Sequence, residues 1–319
     1  RIIGAMSELR TATEAATSAP SAWTTGTARV AAGVDVTYDV MGQGAPLLLI
    51  MGIGAQRIFW DDRFCAQLAG KGFRVIRFDH RDIGESSRLN HLPVPDLRRT
   101  MLRRLAGLHV DAPYTLSDMA RDAMALCSHL GVERAHVVGC SMGGMVAQHV
   151  AIEHPSRLLS LTSIMSAPGS RRFLVATRPR ALKTLFSPPP RTADAAGDHA
   201  VRVFTELGGS RYAPDADALR RLGRLAFERG SNPKGFLRHF AAICASGSRT
   251  KALARVAAPT LVFHGAEDPL IPASAGRATA RAIPGARLHV VPGMGHHLPP
   301  GVWHELATAI AENAARARA

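Results

Sequence analysis

The chain has 319 residues, 46% hydrophobic and 20% charged. That balance fits a globular protein with a large core and excludes a disordered chain. No apolar run approaches the roughly 20 residues of a membrane span, so no membrane span is expected.

The net charge of +14 is unevenly spread, because residues 171–255 hold 17 Lys/Arg against 6 Asp/Glu. In "ADALRRLGRLAFERG" the cations alternate with apolar residues at helical spacing. That pattern reads as solvated arginine faces of amphipathic helices. An anion-attracting rim is the competing reading. Nucleic acid is not an expected partner. Cys65, Cys127, Cys140 and Cys244 are scattered without CxxC spacing, which suits free thiols in a reducing compartment and a cytoplasmic location. Residues 1–29 are rich in Ala, Thr and Ser, contain no signal-peptide h-region and read as a mobile arm. The chain does not begin with Met, and Met6 is a candidate start.

Along the chain, "VDVTYDV" (34–40) alternates apolar and polar residues and predicts an antiparallel edge strand. "APLLLIMG" (45–52) and "FRVIRFDH" (73–80) are short apolar runs, as expected of strands buried on both faces. "RIFWDDRFCAQLAGKG" between them reads as a helix closed by Gly70 or Gly72. A second helix is predicted over 114–131, capped by Thr115 or Ser117 and ended by Gly131. Strand "AHVVGC" (135–140) and helix "MGGMVAQHVAIEHP" (142–155) follow. Three more strands are expected at 158–166, 258–265 and 286–293, and a last helix at 302–317. This alternation predicts an α/β fold, a mostly parallel twisted sheet flanked by helices. The core is expected over 30–166 and 257–319. Residues 167–256, interrupted by "SPPP", break the rhythm and read as an inserted helical cap or lid over the C-terminal edge of the sheet, where ligands bind.

The stretch "VVGCSMGGMV" sets Ser141 in a G-x-S-x-G pattern between strand and helix. A sharp turn there crowds the backbone, small residues relieve it, and the hydroxyl is thrust out at the strand end. As a bland alternative, Ser141 simply caps a glycine-rich helix start. Asp268 in "TLVFHGAEDPLIP" and His296 in "VVPGMGHHLPP" each follow a strand, giving the order Ser…Asp…His. A serine hydroxyl needs a base, so His296 would take its proton and Asp268 would orient the imidazole. The oxyanion of an acyl-transfer intermediate needs preset donors. The backbone N–H of Met142 is one, and that of Ile53 in "MGIGAQ" is assigned as the other.

Five stretches, "MGIGAQ", "FDHRDIGESS", "GCSMGG", "HGAEDPLIP" and "GMGHHLP", resemble the α/β-hydrolase superfamily from about residue 33 to 317. The oxyanion loop with "MG" is most similar to the serine-nucleophile branch that contains aclacinomycin methylesterase and related carboxylesterases. The resemblance implies hydrolysis of a carboxylic ester, a small-molecule substrate, with no cofactor and no metal. It also favours His296 over the neighbouring His297 as the base. The insertion shapes the pocket and is the most divergent stretch, so no particular substrate carries over. The chain departs from many relatives in Cys140 before the nucleophile, read as a buried filler, and in Met51 in place of a histidine.

Other readings stay open. Glu267 is the alternative triad acid. Asp79 and Asp82 are a carboxylate pair or, better, turn-fixing acceptors for backbone N–H groups. Phe59 and Trp60 are core packing or a wall of the substrate pocket. A lactonase, a cofactor-free perhydrolase or haloperoxidase and a carbon–carbon bond hydrolase could use the same triad. A ligand-binding receptor on a hydrolase scaffold is the non-enzyme alternative. A homodimer is compatible with the sequence.

Overall fold

The computed structural model describes residues 23–317. The expected arm at residues 1–22 lies outside the described residues. Residues 24–29, assigned to that arm, instead belong to strand β1 (Thr24–Ala31), which pairs antiparallel with β2 (Val34–Met41). β2 is therefore not an edge, since its other side pairs antiparallel with β4 (Phe73–Phe78). Alternation in "VDVTYDV" marks a strand but not which side is left unpaired. β3 (Ala45–Ile50), β5 (Ala135–Cys140), β6 (Leu158–Ile164), β7 (Thr260–Gly265) and β8 (Arg287–Val291) complete one sheet in the order β1-β2-β4-β3-β5-β6-β7-β8. From β4 to β8 every pairing is parallel.

The predicted helix at 57–72 splits into a 3-10 turn at Arg57–Phe59 and α1 (Asp62–Gly70). Asp61 causes the break: its side chain accepts the N–H of Arg63 and caps α1. α2 (Leu97–Ala106) begins at the cap Asp96. α3 (Leu116–His129) begins at a Thr115–Asp118 capping box. α4 (Met142–Glu153) follows β5 directly.

Between β6 and β7 run α5 (Arg171–Val175), α6 (Pro179–Leu185), α7 (Ala193–Leu207), α8 (Ala216–Glu228), α9 (Pro233–Ala245) and α10 (Thr250–Leu253). α11 (Ala273–Ala282) and α12 (Trp303–Ala315) close the chain.

The period of two in the strands sorts the core into two faces. Leu48, Ile50 and Val137 pack with Leu126, Val146 and Ala147 of α3 and α4. Leu47, Leu49 and Val138 pack with Phe64, Leu68 and Leu306 of α1 and α12.

Two carboxylates of "FDHRDIGES" fix the loop after β4, and one of them ties it to α9. Asp79 accepts the Arg57 and Glu85 N–H groups and pairs with the guanidinium of Arg57. Asp82 accepts the Leu89 N–H, the Tyr114 hydroxyl and, at 2.8 Å, the guanidinium of Arg238 in α9. The turn-fixing bonds are as expected, but each carboxylate also meets a remote arginine. Both side chains of the Asp82–Arg238 pair are fully buried. Removing one partner leaves a buried charge uncompensated. Asp82→Ala is therefore expected to lower unfolding stability by about 3–5 kcal/mol, read from urea denaturation. A loss below about 1 kcal/mol would show that the pair is dispensable.

Candidate active site

Ser141 sits between β5 and α4 with φ 55° and ψ −119°, a left-handed conformation that side chains avoid. Its neighbours explain how the turn closes. A Cβ on Gly139 would lie 2.2 Å from the Gly143 carbonyl oxygen, and one on Gly143 would lie 2.0 Å from that of Ile50. No larger residue fits either position without moving backbone. The turn is also held by the Ser141 N–H, which donates to the Ile164 carbonyl at 2.8 Å.

Three remote side chains meet here. The Ser141 hydroxyl lies 3.0 Å from His296 Nε2, and His296 Nδ1 lies 2.6 Å from Asp268 Oδ2. Nδ1–H donates to the carboxylate, which leaves the Nε2 lone pair facing the hydroxyl. Asp268 Oδ1 accepts the N–H groups of Leu270 and Ile271 at 2.9 and 2.8 Å. Burial alone would raise the Asp268 pKa. The charge of His296 and hydrogen bonds from His264 and His296 outweigh it, and the carboxyl is held down at about 2. All three residues are at least nine-tenths buried.

Glu267, the alternative acid, faces away. It accepts the N–H and hydroxyl of Ser210 at 2.7 and 2.8 Å and fastens the α7–α8 loop to the core. His297 is buried beside His296, with neither ring nitrogen hydrogen-bonded among the described residues. Cys140 is buried and its thiol is pushed up to about 12, first by burial and then by Asp268, so it stays protonated as a filler.

Ile53 and Met142 line the same cavity as Ser141. Met142 opens α4, where the first N–H groups have no partner within the helix. The loop after β3 lies close by: a Cβ on Gly52 would come within 3.2 Å of the Ser141 Cβ. That cavity, of roughly 110 Å³, is walled by Met145 of α4 and by Phe173, Leu182, Leu185, Phe240 and Ile243 of the insertion. Trp60 does not line it. The indole is fully buried on the opposite side of the sheet, stacked 6.0 Å from Phe64 and part of the α1–α12 core. Of its two readings, core packing is the observed one, because the Asp61 cap turns the chain into α1 directly after it.

Sequence reasoning missed the two histidines that hold the loop after β3. His80 Nε2–H donates to the Met51 carbonyl at 3.0 Å. His239 of α9 accepts the Gly54 N–H at Nδ1, 3.4 Å away, and donates from Nε2 to the Arg81 carbonyl at 3.0 Å. The rings meet edge to face at 5.6 Å. Burial lowers His80 to about 4, with Arg81 adding to it. Burial and then His80 lower His239 to about 3. Only the place of His80 within "DHRDIGESS" could have signalled a role. His239 has no motif around it.

The α/beta hydrolase fold family profile matches residues 45–299. Rhodomycin D methylesterase of Streptomyces peucetius is 32% identical over 268 residues, covering 76% of this chain and 82% of that protein. Among solved structures, an enol-lactonase from Burkholderia xenovorans aligns with a TM-score of 0.68 at 22% identity, over 90% of this chain and 99% of that one. The 2-hydroxy-6-oxo-6-phenylhexa-2,4-dienoate hydrolase of a Rhodococcus species aligns at 0.70 and 18% identity, over 92% and 99%. At those identities the two structures bear on the fold alone.

Two outcomes follow from the geometry. Glycine is at home at φ 55° and alanine is not, while neither supplies a hydroxyl. Ser141→Gly is therefore expected to melt above Ser141→Ala, by about 1 kcal/mol in unfolding free energy. Equal stabilities would mean that the turn is unstrained. The histidines give the second. Their pKa values in the folded state lie below 6.5, so below that pH the unfolded chain takes up protons that the folded chain refuses. Stability from this source is complete above about pH 6.5 and falls as pH drops toward about 4. The urea midpoint should fall across that window, and less steeply in His239→Asn. Parallel curves for the two proteins would refute the assignment.

Proposed function

This chain belongs to the alpha/beta hydrolase fold family, and we propose that Ser141, His296 and Asp268 are the triad with which it hydrolyses carboxylic esters. The observation that carries this reading is the chain of two short hydrogen bonds from the Ser141 hydroxyl through His296 to Asp268.

In this reading the Ser141 oxygen attacks the ester carbonyl carbon as its proton passes to His296 Nε2. The resulting oxyanion accepts hydrogen bonds from the N–H groups of Ile53 and Met142. Loss of one such donor typically costs about 2.7–4 kcal/mol of transition-state stabilisation. The imidazolium returns its proton to the leaving alcohol, the C–O bond breaks, and acyl–Ser141 remains. Water then repeats the sequence through the same base and frees the acid. Asp268 stays ionised throughout and stabilises the imidazolium, a role supported by its low pKa of about 2.

Residues 167–256 serve as a cap that walls the substrate cavity. Support comes from Phe173, Leu182, Leu185, Phe240 and Ile243, all of which face it. The apolar lining suits a substrate with an apolar acyl or alcohol part. The substrate is a small molecule, a reading supported by the similarity to rhodomycin D methylesterase. Among the described residues no helix is long and apolar enough to cross a membrane. The four cysteines are free and buried, which supports residence in a reducing compartment such as the cytoplasm.

The test is pre-steady-state hydrolysis of p-nitrophenyl acetate. A burst of p-nitrophenol equal to the enzyme concentration is expected, and Ser141→Ala should abolish it and lower kcat by about 10⁴-fold or more. Undiminished turnover in Ser141→Ala would remove the serine from the chemistry.

A further inference from the structure

We propose that Arg104, on the last turn of α2, is a specificity residue that binds a carboxylate at the acyl end of the substrate remote from the ester. The preferred substrates are then anionic esters, such as half-esters of dicarboxylic acids. This inference rests on the reading of Ser141 as nucleophile.

Among the described residues, four of the five buried arginines pair with a carboxylate. Arg57, Arg77, Arg81 and Arg238 are all buried, and each meets a carboxylate within 3 Å: Arg57 with Asp79, Arg77 with Asp39, Arg81 with Asp122 and Arg238 with Asp82. That is the ordinary rule for a charge taken out of water. Arg104 breaks it. Arg104 lines the cavity that contains Ser141, whose other walls are almost wholly apolar. Among the described residues no carboxylate lies within ion-pair distance of it, and the only hydrogen bond of its guanidinium is to the carbonyl of Gly169.

The surroundings add positive charge. Arg249, fully buried behind the same loop, spends its donors on the Gln148 side chain and the Ala167 carbonyl, each at 2.9 Å. It too has no carboxylate. Arg171 approaches from α5 and donates to the Leu105 carbonyl. Three cations thus gather around residues 167–170 with no acid among them. The effect is visible on Arg249, which burial and then the charge of Arg104 lower to about 10. Arg104 itself is lowered, by burial first, with Arg171 adding to it. An apolar cavity with one guanidinium in its wall and a positive surplus behind it is complementary to an apolar acyl chain ending in a negative charge. A carboxylate accepts two of the guanidinium's five donors side by side, whereas the Gly169 carbonyl uses one.

The test compares pairs of substrates that differ only in charge. Monomethyl and dimethyl esters of adipic, suberic and sebacic acid are assayed by pH-stat with wild type, Arg104→Met and Arg104→Lys. The wild type is expected to show a higher kcat/KM for the monomethyl ester than for the dimethyl ester at one or more chain lengths. Arg104→Met should cut that preference about ten-fold or more. Arg104→Lys, which keeps the charge without the planar fork, should keep part of it. Thermal melting of each variant reports whether it folds. If Arg104→Met fails to fold, the wild-type preference decides alone. A preference for the dimethyl ester at every length, or a charge preference in folded Arg104→Met within two-fold of wild type, overturns the proposal. Turnover of neutral esters without a charge preference sinks Arg104 and leaves the Ser141 reading intact. Absence of both ester turnover and a p-nitrophenol burst sinks the nucleophile itself.

Discussion

The site depends on one close approach, that of Gly143 to the carbonyl of Ile50. A Cβ there would lie 2.0 Å from the oxygen, so the first turn of α4 starts hard against the end of β3. Two consequences follow from that proximity. The loop that leaves β3 begins beside Ser141, which brings Ile53 and Met142 to one cavity. The chain from β5 to α4 also has no room for a relaxed turn, and Ser141 takes the left-handed conformation that lifts its hydroxyl toward His296. Strain at one residue, of order 1–3 kcal/mol, is held by the parallel pairing of β5 with β3 and β6 on either side.

Electrostatics joins the insertion to this frame. Hydrophobic contact alone would let a helical segment slide over the sheet edge, because apolar burial is not directional. Arg229 and Arg238 prevent that. Arg229 reaches Glu85 and Gln56 at 2.7 and 3.0 Å, and Arg238 reaches Asp82. Each bond ends on the loop after β4 or the loop after β3. The basic surplus of residues 171–255 therefore divides in two. Arg180, Arg220 and Arg224 pair on the exposed faces of α6–α8 with Glu206, Asp198 and Asp194, where ion pairs stabilise little. Arg229, Arg238 and Arg249 are withdrawn from water and shape the protein.

How much of this was legible follows from the range of the forces involved. The strands, the elbow and the three candidate positions are local events: an apolar run, a small residue at a crowded turn, a polar group just past a strand. Sequence carries such events directly, and Ser141, His296 and Asp268 come within hydrogen-bond distance of one another in turn. The solvated arginines of α8 were equally legible from their helical spacing. What escaped was decided across the fold. Trp60 follows the oxyanion loop in sequence, but the Asp61 cap commits it to the α1 side of the sheet. β2 lost its place at the edge to a strand formed by an Ala- and Thr-rich segment without a strong apolar pattern. His239 and Arg104 meet the site from helices about 100 residues to the C-terminal side of Ser141 and about 40 to its N-terminal side, and no local spacing announces either.

On the proposed reading, the hidden histidines also explain how the loop after β3 can be both fixed and ready. A loop needs its backbone groups satisfied to hold still, yet two donors must remain free for the reaction. His80 takes the Met51 carbonyl and His239 takes the Gly54 N–H, the groups on either side of Ile53. The Ile53 N–H between them meets no acceptor among the described residues. This division works only with neutral imidazoles, because a protonated His239 has no lone pair for Gly54. Burial supplies that neutrality, lowering the rings to about 4 and about 3. His296 differs in its partner rather than its depth. Its Nδ1 faces the carboxylate of Asp268 and its Nε2 the hydroxyl of Ser141, instead of backbone groups. The rings of His80 and His239 hold backbone, while that of His296 joins side chains, according to what each Nδ1 and Nε2 faces.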